Sequence, residues 1–468
     1  MLLAFQSTES GSLQTPNSPV GLMPAAPETH SSLATNRQLL SRWNLAAIML
    51  IVGLVVWTGV ERFIDPVGEK YLKILAPGNA DFFFPFGGAR ALLLGANPYV
   101  NDLPGMDDPW HRAFGIVEGK AYRGLYPPTH FVLYVPLALI TDDWRVAGRI
   151  LFVVNLAAIG LMAVISWWLL IQITTPRTAG YRMNAILIPL LFVILSTNVA
   201  TSMGLERGDG GDILGAALCW SAVVLFLKGW RSLPMFLAVP AVLLKGYPVF
   251  WGLGLGLLGL TRRTWMPVVA GTLAGVLVFL APVARYLPEA LLLIRNYTGI
   301  TGNVFWWNHS FWNLFGHIDP QLAEPGRWIM TVYCVALSVI SWLRARRALR
   351  AGSLPDAALW LCLFTVSSIE IMLGSARTSI VYDLIFIMPG LVMLLILPEP
   401  FLRSCGLGED VGWSIGTLFL LSAFLLFKFA WFDSAGFPTP GLGMLLFLVT
   451  IGGIWVTGKL RGGRNQKT

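Results

Sequence analysis

The chain has 468 residues, of which 55% are hydrophobic and only 12% are charged. Soluble domains carry roughly 25% charged residues, so this composition excludes a soluble enzyme of two or three domains. Apolar runs that continue to the C-terminus also exclude a soluble domain with a single anchor. The formal net charge of +8 indicates basic cytoplasmic loops rather than a nucleic-acid partner, because Lys and Arg orient multi-span chains.

The N-terminal segment 1–36 is rich in Ser, Thr and Pro and lacks an apolar core. This composition predicts a disordered cytoplasmic tail and not a cleaved signal peptide, which needs a basic start and an apolar run. The remainder, 37–468, is predicted to form a single all-α polytopic membrane domain. Its first span, residues 44–60, would act as an uncleaved signal anchor.

Long apolar runs recur along the rest of the chain. With the first span, they cover 44–60, 150–172, 185–203, 213–228, 232–246, 247–260, 264–283, 327–343, 354–376, 384–398, 413–431 and 440–457. Several are shorter than the ~20 residues that a straight span needs, which indicates a thinned or water-lined region. The additional run 127–140 is ambiguous, so the count is twelve or thirteen spans.

The distribution of Lys and Arg decides between these counts. Counting back from the basic C-terminal tail, alternation places the basic loops on the inside; they contain Arg403, Arg344, Arg346, Arg347, Arg350, Arg262, Arg263, Lys228, Arg231, Arg177 and Arg182. Arg37 and Arg42 join them only if 127–140 does not cross. We therefore predict twelve spans with both termini cytoplasmic, and 127–140 as a half-depth or surface helix. The large outer segments are then 61–149 and 284–326.

The polar motifs that interrupt the apolar pattern all fall on the outer face in this topology. They are Asp81 in GNADFFFPFGG, Tyr126–His130 (YPPTH), Glu206–Asp212 (ERGDGGD), Lys245–Pro248 (KGYP), Trp306–Ser310 (WWNHS), and a last outer loop with Arg377 and Tyr382-Asp383. Cations of this kind neutralise phosphate charge, and a carboxylate can take a proton from an attacking hydroxyl. The set suits a site that handles a phosphate and a hydroxyl together.

Each of these residues also has a purely structural alternative. Asp81 could cap a helix, Asp209 and Asp212 could close a glycine turn with Arg207, Lys245 could snorkel, His309 could be interfacial, and Arg377 could be an ordinary loop cation. The spacing Gly254-x-Gly256-x-x-Gly259 matches a dinucleotide fingerprint in letters only. Because it lies in an apolar run without a preceding strand, it predicts close helix packing.

The order of the motifs resembles that of the GT-C integral-membrane glycosyltransferases, and most closely family 87, the polyprenyl-phosphate-mannose-dependent α-mannosyltransferases. The resemblance rests on five pieces in order. They are Asp81-Phe82 with a following G-x-N-P-Y (Gly95, Asn97, Pro98, Tyr99), Tyr126-Pro127-Pro128, Glu206-Arg207-Gly208-Asp209, Lys245-Gly246-Tyr247-Pro248 and Asn308-His309-Ser310.

The resemblance implies a GT-C-like fold and a polyprenyl-phosphate-linked sugar as donor, with a glycan or glycolipid acceptor. Transfer would occur at the outer face of a bacterial inner membrane, with Asp81 as the catalytic base and inversion at the anomeric carbon. We expect Lys245, Arg207 and His309 to stabilise the donor phosphate. The candidates for the remaining substrate contacts are Tyr126, His130, Asp209, Asp212, Tyr247, Trp306, Trp307, Asn308 and Arg377. We expect no cofactor, although a divalent metal ion held by Asp209 or Asp212 stays open.

Two other functions compete with this interpretation. A lipid-linked glycan polymerase or ligase would favour a pyrophosphate donor and an arginine-rich outer loop, whereas 284–326 contains only Arg285 and Arg295. A transporter of lipid or sugar would need charged residues at mid-depth on several spans and internal repeats, and no repeat is evident in the sequence.

Overall fold

The computed structural model describes residues 80–99, 115–117, 120–122, 126–174, 187–197, 210–291, 309–376, 381–396 and 439–464, with a few isolated positions besides. These residues are mainly helical, as expected for an all-α membrane protein. The one exception among them is a short antiparallel hairpin of β1 (Gly115–Val117) and β2 (Lys120–Tyr122). The tail 1–36, the run 44–60 and most of the run 413–431 lie outside the described residues.

Thirteen α-helices form the described part of the chain. They are α1 (Ala80–Leu93), α2 (Pro128–Ile140), α3 (Trp144–Thr174), α4 (Leu187–Thr197), α5 (Gly210–Leu227), α6 (Ser232–Lys245), α7 (Val249–Gly259), α8 (Trp265–Phe279), α9 (Phe311–Ile318), α10 (Ala323–Arg350), α11 (Leu354–Ser375), α12 (Met388–Ile396) and α13 (Thr439–Arg464). Short 3-10 helices cover Ala281–Tyr286, Pro320–Leu322 and Val381–Phe386.

Five helices in these ranges are long and apolar enough to cross a membrane: Val146–Ile173, Gly210–Leu227, Pro320–Arg350, Leu354–Ser375 and Gly441–Gly458. A sixth would be the pair Trp265–Phe279 and Ala281–Leu291, which is bent by 51°. The structure therefore supports a membrane protein, while the number of twelve crossings stays a prediction.

Two of the runs counted as spans form helices too short to cross a bilayer unaided. Helix α6 has 14 residues and α7 has 11, which corresponds to lengths of about 21 and 17 Å against a hydrocarbon core of about 30 Å. Helix α2, which covers the ambiguous run 127–140, has 13 residues. Its length of about 20 Å is similar to that of α6, so the prediction that it does not cross stays a prediction.

Helix α11 forms the centre of the core. Of its most apolar stretch, 94% is buried inside the protein, and it packs against α10, α3, α7 and α12. Helices α5 and α6 form an adjacent antiparallel hairpin, since Lys245 at the end of α6 meets Asp212 at the start of α5. The indole of Trp220 in α5 donates a hydrogen bond to the carbonyl of Phe386, 2.8 Å away, and so joins this hairpin to the 3-10 helix Val381–Phe386.

The glycine pattern of α7 marks close helix packing, as predicted. A methyl group added at Gly254 would overlap the ring of Phe364 in α11. The Trp342 indole of α10 donates to the carbonyl of Gly254 at 2.9 Å. A methyl group at Gly259 would lie 3.1 Å from Val268 of α8. The prediction of helix packing is therefore confirmed.

Helices α8 and α6 approach each other closely at Gly271. A methyl group at Gly271 in α8 would overlap the backbone carbonyl of Ser232 in α6, and backbone cannot move aside as a side chain can. We expect Gly271→Ala to destabilise the protein by about 1–3 kcal/mol, measured as a lower melting temperature. Gly453→Ala in α13 is the matched control, because nothing lies within 4 Å of its added methyl group. Equal melting temperatures of the two variants would contradict the packing of α8 on α6.

Candidate functional site

The start of α5, the end of α6 and the 3-10 helix Val381–Phe386 meet at a buried ion pair. Lys245 Nζ lies 3.2 Å from Asp212 Oδ2 and 3.8 Å from Asp383 Oδ1. The lysine side chain is 13% exposed, and the two carboxylate side chains are 0% and 3% exposed. Among the described side chains, one ammonium group thus faces two carboxylates at a place that water barely reaches.

Two tyrosines complete this group. The hydroxyl of Tyr247 donates to Asp383 Oδ2 at 3.1 Å. The ring of Tyr126 lies 5.7 Å from Lys245 Nζ in a cation–π arrangement. We call Lys245, Asp212, Asp383, Tyr247 and Tyr126 the Lys245 cluster.

The KGYP motif explains how Lys245 and Tyr247 reach the same place. Gly246 has φ +76 and ends α6 in the left-handed conformation that glycine adopts without strain. Pro248 then precedes the first residue of α7. The chain therefore reverses within three residues, and both side chains lie at the turn.

The YPPTH motif binds the end of α6. The hydroxyl of Thr129 donates to the carbonyl of Leu243 at 2.6 Å, and Nδ1 of His130 lies 3.0 Å from the carbonyl of Leu244. The last carbonyls of a helix have no partner within the helix, so these side chains satisfy two of them. Thr129 is 3% exposed and His130 is 0% exposed.

The loop after α1 supports Tyr126 from the other side. The backbone N–H of Tyr99 donates to Asn97 Oδ1 at 3.0 Å, and the hydroxyl of Tyr99 donates to the carbonyl of Tyr126 at 2.9 Å. Burial, with a smaller effect of the charge on Glu289, raises the pKa of Tyr99, so this hydroxyl also remains a donor. The G-x-N-P-Y and YPPTH motifs are thus joined by a direct hydrogen bond.

Tyr134 of α2 links the first turn of α1 to the start of α5. The ring of Phe82, in that turn of α1, lies 6.0 Å from the ring of Tyr134. The hydroxyl of Tyr134 accepts a hydrogen bond from the backbone N–H of Gly210, the first residue of α5, at 3.1 Å. Asp81 belongs to the same first turn of α1, but its side chain lies outside the described part of the structure.

His309 has different neighbours. It is fully buried immediately before α9, and the side chain of Ser310 caps that helix by accepting from the N–H of Asn313. A methyl group at Gly441 of α13 would lie 2.9 Å from the carbonyl of His309. The contacts described for His309 therefore involve α9 and α13, whereas those of the Lys245 cluster involve α2, α5 and α6.

The remaining candidates fall outside the residues that the structure describes; they are Arg207, Asp209, Trp306, Trp307, Asn308 and Arg377. Of the predicted site residues, the structure brings together Lys245, Asp212, Tyr247, Tyr126 and His130. In the described ranges, no group of three or more His, Cys, Asp or Glu side chains is arranged to hold a metal ion.

Two acidic residues that the structure singles out have no assigned role in the sequence prediction. Asp383 forms with Tyr382 a polar motif of the predicted last outer loop, and the structure adds it to the Lys245 cluster. Glu370 lies in α11, is 0% exposed, and neither of its carboxyl oxygens has a hydrogen-bond partner among the described residues. A lone acid in an apolar run gave no reason to expect complete burial.

The Lys245 cluster offers two carboxylates, an ammonium group, a phenol donor and an aromatic face at the ends of short apolar helices. Carboxylates accept hydrogen bonds from hydroxyl groups, and an aromatic face can stack on an apolar face of a ligand. Comparison of the chain with protein families, with characterised proteins and with solved structures finds no match.

The buried ion pair predicts that removing Lys245 destabilises the protein and that removing a partner carboxylate as well restores part of the stability. Lys245→Met leaves two buried carboxylates without their cation, and breaking a buried pair in this way typically costs about 3–5 kcal/mol. We expect a clear fall in melting temperature, and we expect Lys245→Met combined with Asp212→Asn to recover part of it. Lys228→Met is the control, because Lys228 is exposed at the opposite end of the α5–α6 hairpin. A double variant no more stable than Lys245→Met would contradict the pairing.

Proposed function

We propose that the protein is an inverting glycosyltransferase that uses a polyprenyl-phosphate-linked sugar and acts on a lipid or glycan acceptor at the outer membrane face. The sugar would be mannose or a related hexose or pentose, and the fold would be GT-C-like with about twelve spans. The observation that carries the proposal is the Lys245 cluster, which lies at the ends of apolar helices and is linked through Tyr134 to the first turn of α1, where Asp81 is located.

The short helices support a lipid-linked donor. Because α6 and α7 are shorter than the hydrocarbon core is thick, the polar turn between them would lie within the membrane and not in the outer water. Charged side chains persist at such depths when they face a partner or a water-filled cavity. A prenyl chain could then stay in the membrane while its phosphate and sugar reach the Lys245 cluster.

The proposed reaction is a direct displacement. Asp81 removes the proton from an acceptor hydroxyl, whose oxygen attacks the anomeric carbon as the bond to the lipid phosphate breaks. A glycosidic bond with inverted configuration forms, and polyprenyl phosphate leaves with the electron pair. Fixed cations near the leaving phosphate would stabilise its growing charge.

The charges of the Lys245 cluster refine the roles of these residues. A phosphate bound at Lys245 Nζ would approach Asp212 and Asp383, which lie 3.2 and 3.8 Å from that nitrogen. Asp212 and Asp383 offer carboxylate oxygens that suit sugar hydroxyls, since hydroxyl groups donate to carboxylates. We therefore assign the sugar to the Lys245 cluster, and we leave Arg207 and His309 as the main candidates for the phosphate.

The test uses the purified full-length protein in lipid nanodiscs with a short-chain polyprenyl-phosphate mannose and a membrane lipid extract as acceptor. We expect Asp81→Asn to retain less than about a tenth of the wild-type release of polyprenyl phosphate, because general-base catalysis is typically worth about 10²–10⁴-fold. Asp142→Asn, at an exposed aspartate after α2, should keep wild-type activity. Activity of Asp81→Asn near wild type would remove Asp81 as the base.

One observation favours a second candidate function, the transport of a lipid or sugar. Glu370 is a fully buried carboxyl within the candidate span Leu354–Ser375, and ionisable residues inside spans often mark substrate or proton pathways. In the described part of the chain, its carboxyl oxygens have no hydrogen-bond partner.

Glu370→Gln separates the two functions, because it keeps the shape of the side chain and removes its ability to ionise. If the protein is a transferase as proposed, we expect this variant to release polyprenyl phosphate within about twofold of wild type, with an equal or higher melting temperature, since a buried unpaired acid opposes folding. A transporter would instead show uptake of labelled substrate into vesicles that Glu370→Gln abolishes and Asp81→Asn does not affect.

A further inference from the structure

His130 contacts Leu244 and Gly211, the residues immediately before Lys245 and Asp212 in the chain. On one side, its Nδ1 lies 3.0 Å from the carbonyl of Leu244, next to Lys245. On the other side, its Nε2 edge packs directly on Gly211, next to Asp212. We propose that His130, together with Thr129, is a positioning residue that sets the separation and register of Lys245 and Asp212.

The contact with α6 is directional. A carbonyl oxygen only accepts hydrogen bonds, so Nδ1 of His130 must carry a proton to bond Leu244. Thr129 adds a second hydrogen bond one residue earlier, from its hydroxyl to the carbonyl of Leu243. Two successive carbonyls in the last turn of α6 are thereby held by α2, and Lys245 is the next residue. The direction in which its side chain leaves the helix is set by this turn.

The contact with α5 is steric. A methyl group at Gly211 would overlap the Nε2 edge of the His130 ring, so only glycine allows the ring to approach the first turn of α5. Asp212 follows immediately, and its carboxylate is completely buried. The width of the imidazole thus spaces the first turn of α5 from the last turn of α6.

The ring is well held for this role. It is 0% exposed and lies between two aromatic neighbours, with ring centres 4.8 Å from that of Tyr126 and 6.1 Å from that of Tyr134. Tyr126 also faces Lys245, and Tyr134 also bonds Gly210. Nδ1 of His130 faces Leu244 and its Nε2 edge faces Gly211, so both ring edges are occupied by the protein. The ring acts through the Lys245 cluster, which under the proposed function binds the sugar.

The first experiment measures coupling without any assay of activity. Melting temperatures are compared for the full-length protein carrying His130→Leu, Lys245→Met or both. Residues that act on one network show non-additive effects, while distant residues add. We expect the double variant to lose clearly less than the sum of the two single shifts. Additive shifts would overturn the proposal. If His130→Leu does not fold, Thr129→Val replaces it in the same cycle.

Two controls show that the coupling belongs to this contact. His130→Asn places an amide donor near the position of Nδ1 and should recover a good part of the loss, as Thr129→Ser should for Thr129→Val. Tyr333→Phe removes a hydroxyl that donates to the carbonyl of Leu448 between α10 and α13. Its shift should add to that of Lys245→Met. A Tyr333→Phe cycle as strongly coupled as the His130 cycle would overturn the proposal.

The second experiment rests on the proposed function and measures KM and kcat for polyprenyl-phosphate mannose. We expect His130→Leu to change the same parameter as Lys245→Met, in the same direction, with no further change in the double variant. A misplacement of about 1 Å can cost on the order of 10²-fold. If the wild type transfers no sugar, the proposed function fails, but the thermal cycle still decides the role of His130. Transfer that Lys245→Met impairs and His130→Leu leaves at wild type would overturn the positioning role alone.

Discussion

The pairing of Lys245 with Asp212 and Asp383 is the constraint on which the arrangement of the site depends. An ion inside a protein costs several kcal/mol unless it is paired and hydrogen-bonded. This requirement brings three elements together: the start of α5, the end of α6 and the 3-10 helix Val381–Phe386. The same requirement sets the register of the α5–α6 hairpin, because a shift of either helix would separate the charges.

The C-terminal end of the short helix α6 imposes a second constraint. Helix α6 ends well before it could cross a bilayer, so the carbonyls of its last turn need partners from elsewhere. Thr129 and His130 of α2 provide them, and Gly246 lets the chain turn back into α7. Motifs that are far apart in the sequence thus join in one small structure, whose polar side chains lie at the ends of apolar helices.

Different helices surround the Lys245 cluster, His309 and Glu370. The Lys245 cluster lies among α2, α5 and α6, while His309 lies beside α9 and α13, and Glu370 lies in α11. A sugar bound to a lipid phosphate has two chemically different parts, and a site that divides them would need both hydroxyl acceptors and cations. The proposed division assigns the hydroxyls to the Lys245 cluster because Asp212 and Asp383 can accept their hydrogen bonds.

The sequence by itself determined the membrane class, the long apolar helices such as α3, α5 and α11, and the close packing at Gly254. It also selected Lys245, Asp212, Tyr247 and Tyr126 as members of a site. These features depend on local hydropathy, on glycine spacing and on polar residues that interrupt apolar runs. Only the tertiary structure decided that Lys245 pairs with Asp383, that His130 binds the end of α6, and that Glu370 is enclosed. Such contacts join residues distant along the chain, and they form only when the packing of whole helices brings their termini together.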